Sequence, residues 1–300
     1  MRWRDRRGSN NIEDRRGDSG PSGIGGLGGG GSMLRLLPMV YRILGVKGIV
    51  LLGVGLLTYG LFTGNLGAIT GLGAAQTSVQ SEIEVSEREQ ELADFISVML
   101  ADSEQVWEQI FTEQGASYQQ PTLVLFRSRT QSACGLGQAA TGPFYCPSDQ
   151  QIYIDLSFFD QLANQLNAPG DFAQAYVLAH EVGHHIQTIM GLSNKVHSLR
   201  KHASKTQANQ LSVLQELQAD CYAGVWAFHA NKQFHSLEAG DIDEGLRAAS
   251  AIGDDALQEQ AGQDVRPDSF THGSSEQRVQ WFNTGFETGQ MKRCDTFAAL

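Results

Sequence analysis

From about residue 82 the chain alternates between two hydrophobic periods. In 82–114 the apolar residues Leu92, Phe95, Ile96, Met99, Leu100, Val106, Ile110 and Phe111 recur at helical spacing and predict one long amphipathic helix. "PTLVLF" (121–126) and "QIYID" (151–155), rich in branched and aromatic residues, predict strands, and "GPFYCPSD" between them reads as a turn-bounded strand end. A helix is expected after Pro169-Gly170, with Asp171 as N-cap and Gln174 three residues on, stopping at Gly191. Further helices are expected over roughly 207–230, 238–260 and 274–290. There is no internal repeat. The pattern is that of an α+β domain with a short β-sheet.

Before residue 82 the pattern is different. Not one charged residue lies between Gly48 and Ser81, and the apolar run 43–66 is long enough to cross a hydrocarbon core. The expected organisation is a basic, Gly-rich disordered head (1–42), a transmembrane helix (43–66), a linker (67–81) and a folded domain (82–300). A cleaved signal peptide ending near Gly73-Ala74-Ala75 is the alternative for the apolar run. Gly60 and Gly64 form a small-xxx-small pair that suits helix-mediated oligomerisation.

Charge sharpens this division. The net charge of −11 splits into +5 over residues 1–47 and −16 over the rest. The basic stretch has no aromatic platform beyond Trp3 and no reading motif, so no nucleic acid partner is expected. A basic head before an apolar run instead predicts a single-pass membrane protein, with its N-terminus in the cytoplasm and its body outside.

The chemistry sits in "LAHEVGHHIQ" (178–187). On a helix His180 and His184 share a face and can bind one metal ion, while Glu181 can deprotonate a zinc-activated water. His185 points elsewhere. Zinc hydrolases keep three protein ligands and one open position. The class that takes a third histidine needs it six positions after His184, with a glycine between; Gln187 and Met190 occupy the two required places, so that class is excluded. In "QELQADCYAG" (215–224) Glu216 becomes the third ligand, and Asp220, one turn on, is placed to accept the free ring N–H of a ligand histidine. Two imidazoles and a carboxylate suit one Zn2+ per chain, although ligand types alone do not separate it from Mn or Ni. Outside the cytoplasm Cys134 and Cys146 should form a disulfide, which leaves Cys221 and Cys294 for a second; sequence alone allows three connectivities.

H-E-x-G-H followed by E-x-x-A-D resembles the Glu-zincin peptidases, including the HtpX-type membrane proteases. "RWRDRRGSNNIEDRRG", "GPFYCPSDQQIYIDLSFF", "LAHEVGHHIQ", "ELQADCYAG" and "THGSSEQR" resemble more closely the bacterial neutral zinc metallopeptidases of the YpfJ-like family, over nearly the whole chain. The resemblance implies a membrane-tethered, zincin-like domain. In it a short sheet packs on the H-E-x-x-H helix and a following helix carries the Glu ligand. A peptide or protein substrate would add to the sheet edge, for which "QIYID" and "GPFYC" are both candidates. It also implies His272 as an oxyanion or carbonyl donor. Arg278 would either anchor substrate or hold Glu216 or Asp220 in place. Peptide-bond hydrolysis with Glu181 as general base is the expected function. The alternative is a non-catalytic zinc-binding envelope protein that binds peptides or partners; Glu181, which zinc binding does not need, separates the two.

Overall fold

A computed structural model describes residues 1–18 and 85–298. The first long helix, α1 (Glu87–Glu113), begins where the Ser86 side chain accepts the Glu89 N–H, and it buries Phe95, Ile96, Met99, Leu100, Trp107 and Ile110. The sheet beside it runs β1 (Ile12–Asp14), β2 (Thr122–Phe126), β6 (Gln151–Asp155), β5 (Phe144–Cys146) in spatial order. Neighbours pair in parallel except β5, which is antiparallel to β6. A separate hairpin joins β3 (Arg129–Ser132) to β4 (Gly135–Gln138). "QIYID" is therefore an inner strand, and "GPFYC" supplies the edge.

The other edge is the first correction to the sequence reading. Residues 1–18 are not a disordered head: β1 pairs with β2, the Ser9 amide donates to Ser97 O at 3.0 Å, and the Arg15 amide donates to Leu125 O at 2.7 Å. Arg6 reaches the buried Asp102 at 2.5 Å, Trp3 packs edge-on against Phe95, and Ser9 and Asn11 both donate to Glu104. Arg4 and Arg6 pair with Glu91 and Asp102 of α1, and Arg15 and Arg16 with Glu13 and Asp14 of their own strand. β1 makes residues 12–14 an edge of the same sheet that β2, β6 and β5 build. The expected transmembrane helix and linker lie outside the described residues. Among those described, no helix is long and apolar enough to cross a membrane.

After β6 come α2 (Ser157–Asn164), α3 (Asp171–Ile189), α4 (Leu192–Arg200), α5 (Lys205–Phe234), α6 (Asp241–Ala251), α7 (Asp254–Gln260) and α8 (Ser275–Thr288). Gly170, not Asp171, takes the N-cap position of α3, at φ 132°, a backbone conformation that favours glycine. Asp171 is the first helical residue and meets the Met1 amine at 2.7 Å. The single helix expected over 238–260 is broken at Gly253 into α6 and α7. The break frees Asp254 and Asp255 to accept backbone N–H groups from 271–275: Thr271, His272 and Gly273 on Asp254, and Ser275 on Asp255.

Two close crossings fix the helices. At Gly183 an added Cβ would stand 2.9 Å from the Ala219 backbone, so α3 and α5 meet at main-chain distance. At Gly285 and Gly224, α8 and α5 meet the same way; a Cβ on Gly285 would fall on the Cys221 carbonyl and stand 2.8 Å from Val225 N. Both expected disulfides are present, Cys134–Cys146 beside β5 and Cys221–Cys294 between α5 and a 3-10 turn (Met291–Cys294).

Candidate metal centre

α3 and α5 cross where both carry chemistry, so residues 36 apart in sequence meet at one point. Glu216 Oε2 lies 3.1 Å from His180 Nε2 and 3.4 Å from His184 Nε2. Zinc bonds of about 2.0–2.1 Å at the tetrahedral angle separate ligand atoms by about 3.3 Å, so both separations from Glu216 Oε2 match those of such a ligand set. All ligand atoms of the trio lie within 4.8 Å of one another. A second acidic group, Asp171, Asp241 and Glu244, lies by the start of α3, but the Met1 amine sits among its carboxylates, 2.7 Å from Asp171 and 3.4 Å from Asp241.

Each ligand histidine is held at its other ring nitrogen. His180 Nδ1 is 2.8 Å from Asp220 Oδ1, the partner expected from sequence. His184 Nδ1 is 3.0 Å from Gln187 Oε1, a contact the sequence reading missed, although Gln187 stands three residues on, on the neighbouring turn. Asp220 is fully buried and gripped by Arg278, with Nε on Oδ2 at 2.8 Å and Nη2 on Oδ1 at 2.9 Å. Arg278 also donates to Ile252 O and to Tyr176 Oη. Of the two roles expected for Arg278, the geometry fits that of holding Asp220; its donors are spent inside the protein. Tyr176, one turn before His180, donates to Asp220 Oδ1 at 2.5 Å and was likewise missed.

The electrostatics favour a cation between these groups. Burial opposes the imidazolium of His180, but Asp220 and Glu216 outweigh it and hold the ring at about 10. Burial pushes the Asp220 carboxyl up, but Arg278 and His180 override it and hold the carboxyl at about 2. Glu216 falls well below its ordinary value because the two imidazoles outweigh its burial. Carboxylates that favour a protonated imidazole also favour a dication in its place. Glu181 shares the site and is raised by burial, the direction a general base needs.

His185, as expected, is not among the ligand atoms. It is buried, 3.1 Å from Tyr145 Oη and 2.5 Å from Gln119 O, and so ties the edge strand β5 to α3. The centre opens into a cleft of about 550 Å³ whose walls include Phe144 and Tyr145 of β5, Glu181, and His272. His272 is exposed; its Nδ1 lies 3.1 Å from Asp254 Oδ1, which leaves Nε2 as the free ring nitrogen.

The chain is 48% identical over 298 residues, 99% of each chain, to "Uncharacterized protein YpfJ" of Escherichia coli K12. It is 41% identical over 192 residues to "Uncharacterized protein Rv2575" of Mycobacterium tuberculosis, 61% of this chain and 64% of that one. No solved structure matches the chain. The family described as "Putative neutral zinc metallopeptidase" matches residues 1–297, and the chain belongs to that family.

Proposed function

We propose that the chain is a zinc peptidase of the Glu-zincin type that cleaves peptide bonds, with His180, His184 and Glu216 as the ligands of one zinc ion. The observation that carries this is the convergence of the three ligand atoms at the base of an open cleft, with Glu181 beside them. When bound, zinc supplies a Lewis acid for the scissile carbonyl and acidifies water. Glu181 takes the proton of the attacking water and returns it to the leaving amine. His272 donates Nδ1–H to Asp254 and, as the imidazolium with a proton on both ring nitrogens, donates Nε2–H to the substrate oxygen as negative charge develops there. A peptide lies along β5, the sheet edge in the cleft wall, as an added strand.

The two disulfides favour a compartment outside the cytoplasm for the body. Because β1 belongs to the body, residues 1–18 share that side.

The test is Glu181→Gln. It keeps the ligand set and should retain zinc at one per chain while losing hydrolysis, read as cleaved protein termini compared with wild type. Retained hydrolysis would remove Glu181 as the base. Zinc binding with no cleavage by the wild type would favour a peptide-binding role instead.

A further inference from the structure

His184 is held by a neutral amide, whereas His180 is held by a carboxylate, and that amide is the near end of a buried chain. Gln187 is fully buried. Its Nε2 donates to Gln215 O at 2.7 Å and to Gln218 Oε1 at 3.1 Å. Gln218, also buried, donates from its own Nε2 to Cys294 O at 2.9 Å.

The direction of every bond follows from the far end. A backbone carbonyl only accepts, so the Cys294 oxygen requires the NH2 of Gln218. Gln218 Oε1 then faces Gln187 and requires the NH2 of that residue. Gln215 O, another pure acceptor, requires the same orientation. Gln187 Oε1 is left facing His184, so the proton of His184 sits on Nδ1 and its Nε2 lone pair faces Glu216 and His180. Cys294 is fixed to α5 by its disulfide to Cys221, three residues beyond Gln218, and Thr296 Oγ1 adds a bond to Leu214 O at 2.6 Å.

Resting on the reading of His184 as a zinc ligand, we propose that Gln187 and Gln218 are positioning residues for His184, and that the Cys221–Cys294 disulfide anchors them. Zinc affinity is thereby linked to that disulfide. Groups that orient a metal ligand from behind change metal affinity by about 10- to 100-fold when lost. Linkage requires that the disulfide and the relay act through one path, so their losses do not add.

The experiment measures Zn2+ affinity of the full chain by competition with a chromophoric chelator. It compares wild type, Gln218→Met, the Cys221→Ala/Cys294→Ala pair, and the combination of all three changes. Alanines replace reduction because free thiols would bind zinc themselves. The expected result is a loss of about 10- to 100-fold in Gln218→Met, a similar loss in the alanine pair, and no further loss in the combination. Wild-type affinity in Gln218→Met overturns the relay; additive losses overturn the link to the disulfide. Should a variant not fold, the 15N resonances of His184 in the zinc-loaded wild type decide. A slowly exchanging Nδ1–H with coordination through Nε2 supports the relay, and coordination through Nδ1 overturns it. A wild type that binds no zinc fails the ligand assignment rather than the relay; the tautomer of His184, read in the metal-free protein above the pH at which the ring deprotonates, then tests the relay.

Discussion

Arg278→Met tests whether the group behind His180 is an electrostatic unit or simple packing. Methionine fills much of the arginine stem's space but removes both bonds to Asp220 and those to Ile252 O and Tyr176. Asp220 is fully buried, and without its partner it is a buried charge held only by Tyr176 and His180. Breaking such a pair from one side costs about 3–5 kcal/mol. Arg278 is the foremost of the groups that hold the Asp220 carboxyl below its ordinary value against burial, and His180 is the other. Because His180 stays beside Asp220, the expected loss lies at the lower end, about 3 kcal/mol. For a domain of this size that lowers Tm by roughly 6–12 °C.

The pH dependence gives the sign. A carboxyl depressed in the folded state contributes stability that is present above its unfolded value near 3.9 and lost as pH falls through about 2. Removing Arg278 raises the folded value, so the gap between wild type and variant should be widest near neutrality and narrow as the pH falls below about 5. Urea unfolding of both proteins without added zinc, from pH 7 to pH 3.5, reads this directly. A gap that stays constant over that range would refute the electrostatic account and leave Arg278 as packing.

Gly285→Ala should cost about 2–3 kcal/mol in urea unfolding despite the roughly 1 kcal/mol that alanine gains in helix propensity, because the new Cβ meets the Cys221 and Val225 backbone and neither side can give way; a variant as stable as wild type would mean that the two helices do not touch there. His272→Ala should lower kcat by roughly a hundredfold with KM and zinc content little changed, and a near-wild-type kcat would return His272 to the scaffold. Single cysteines at Asp5 and Glu259, both exposed, should react alike with a membrane-impermeant maleimide in intact cells, whether both label or neither does; labelling of one alone would show that β1 does not pair with β2 in the cell.

The candidate metal trio was legible because its rule is local. Spacing of four residues puts His180 and His184 on one turn of α3, and Glu216 and Asp220 on one turn of α5, whatever the rest of the fold. The glycine and alanine between them, Gly183 and Ala219, are where those faces come into contact. The partners behind the ligands were only half legible. Asp220 was found because it sits one turn from a ligand on the same helix. Tyr176 and Gln187 hold equivalent places on α3, yet tyrosine and glutamine are common on helices and carry no metal signal until the crossing is known. Gln218 and Cys294 are joined only by the return of the chain end to α5, a contact 76 residues long that no periodicity encodes. The head was misread for a related reason. Arginine-rich and glycine-bearing, residues 1–18 have the composition of a solvated tail, and composition reports the average cost of burying a segment, not the particular acids waiting for it. Asp102 on α1 is one: burial raises it to about 7 even with Arg6 beside it. An acid in that environment is costly to keep charged without its cation, so α1 needs the head as much as the head needs α1. Arginines of the kind that would hold a tail in the cytoplasm here fasten a strand onto the sheet that flanks α3.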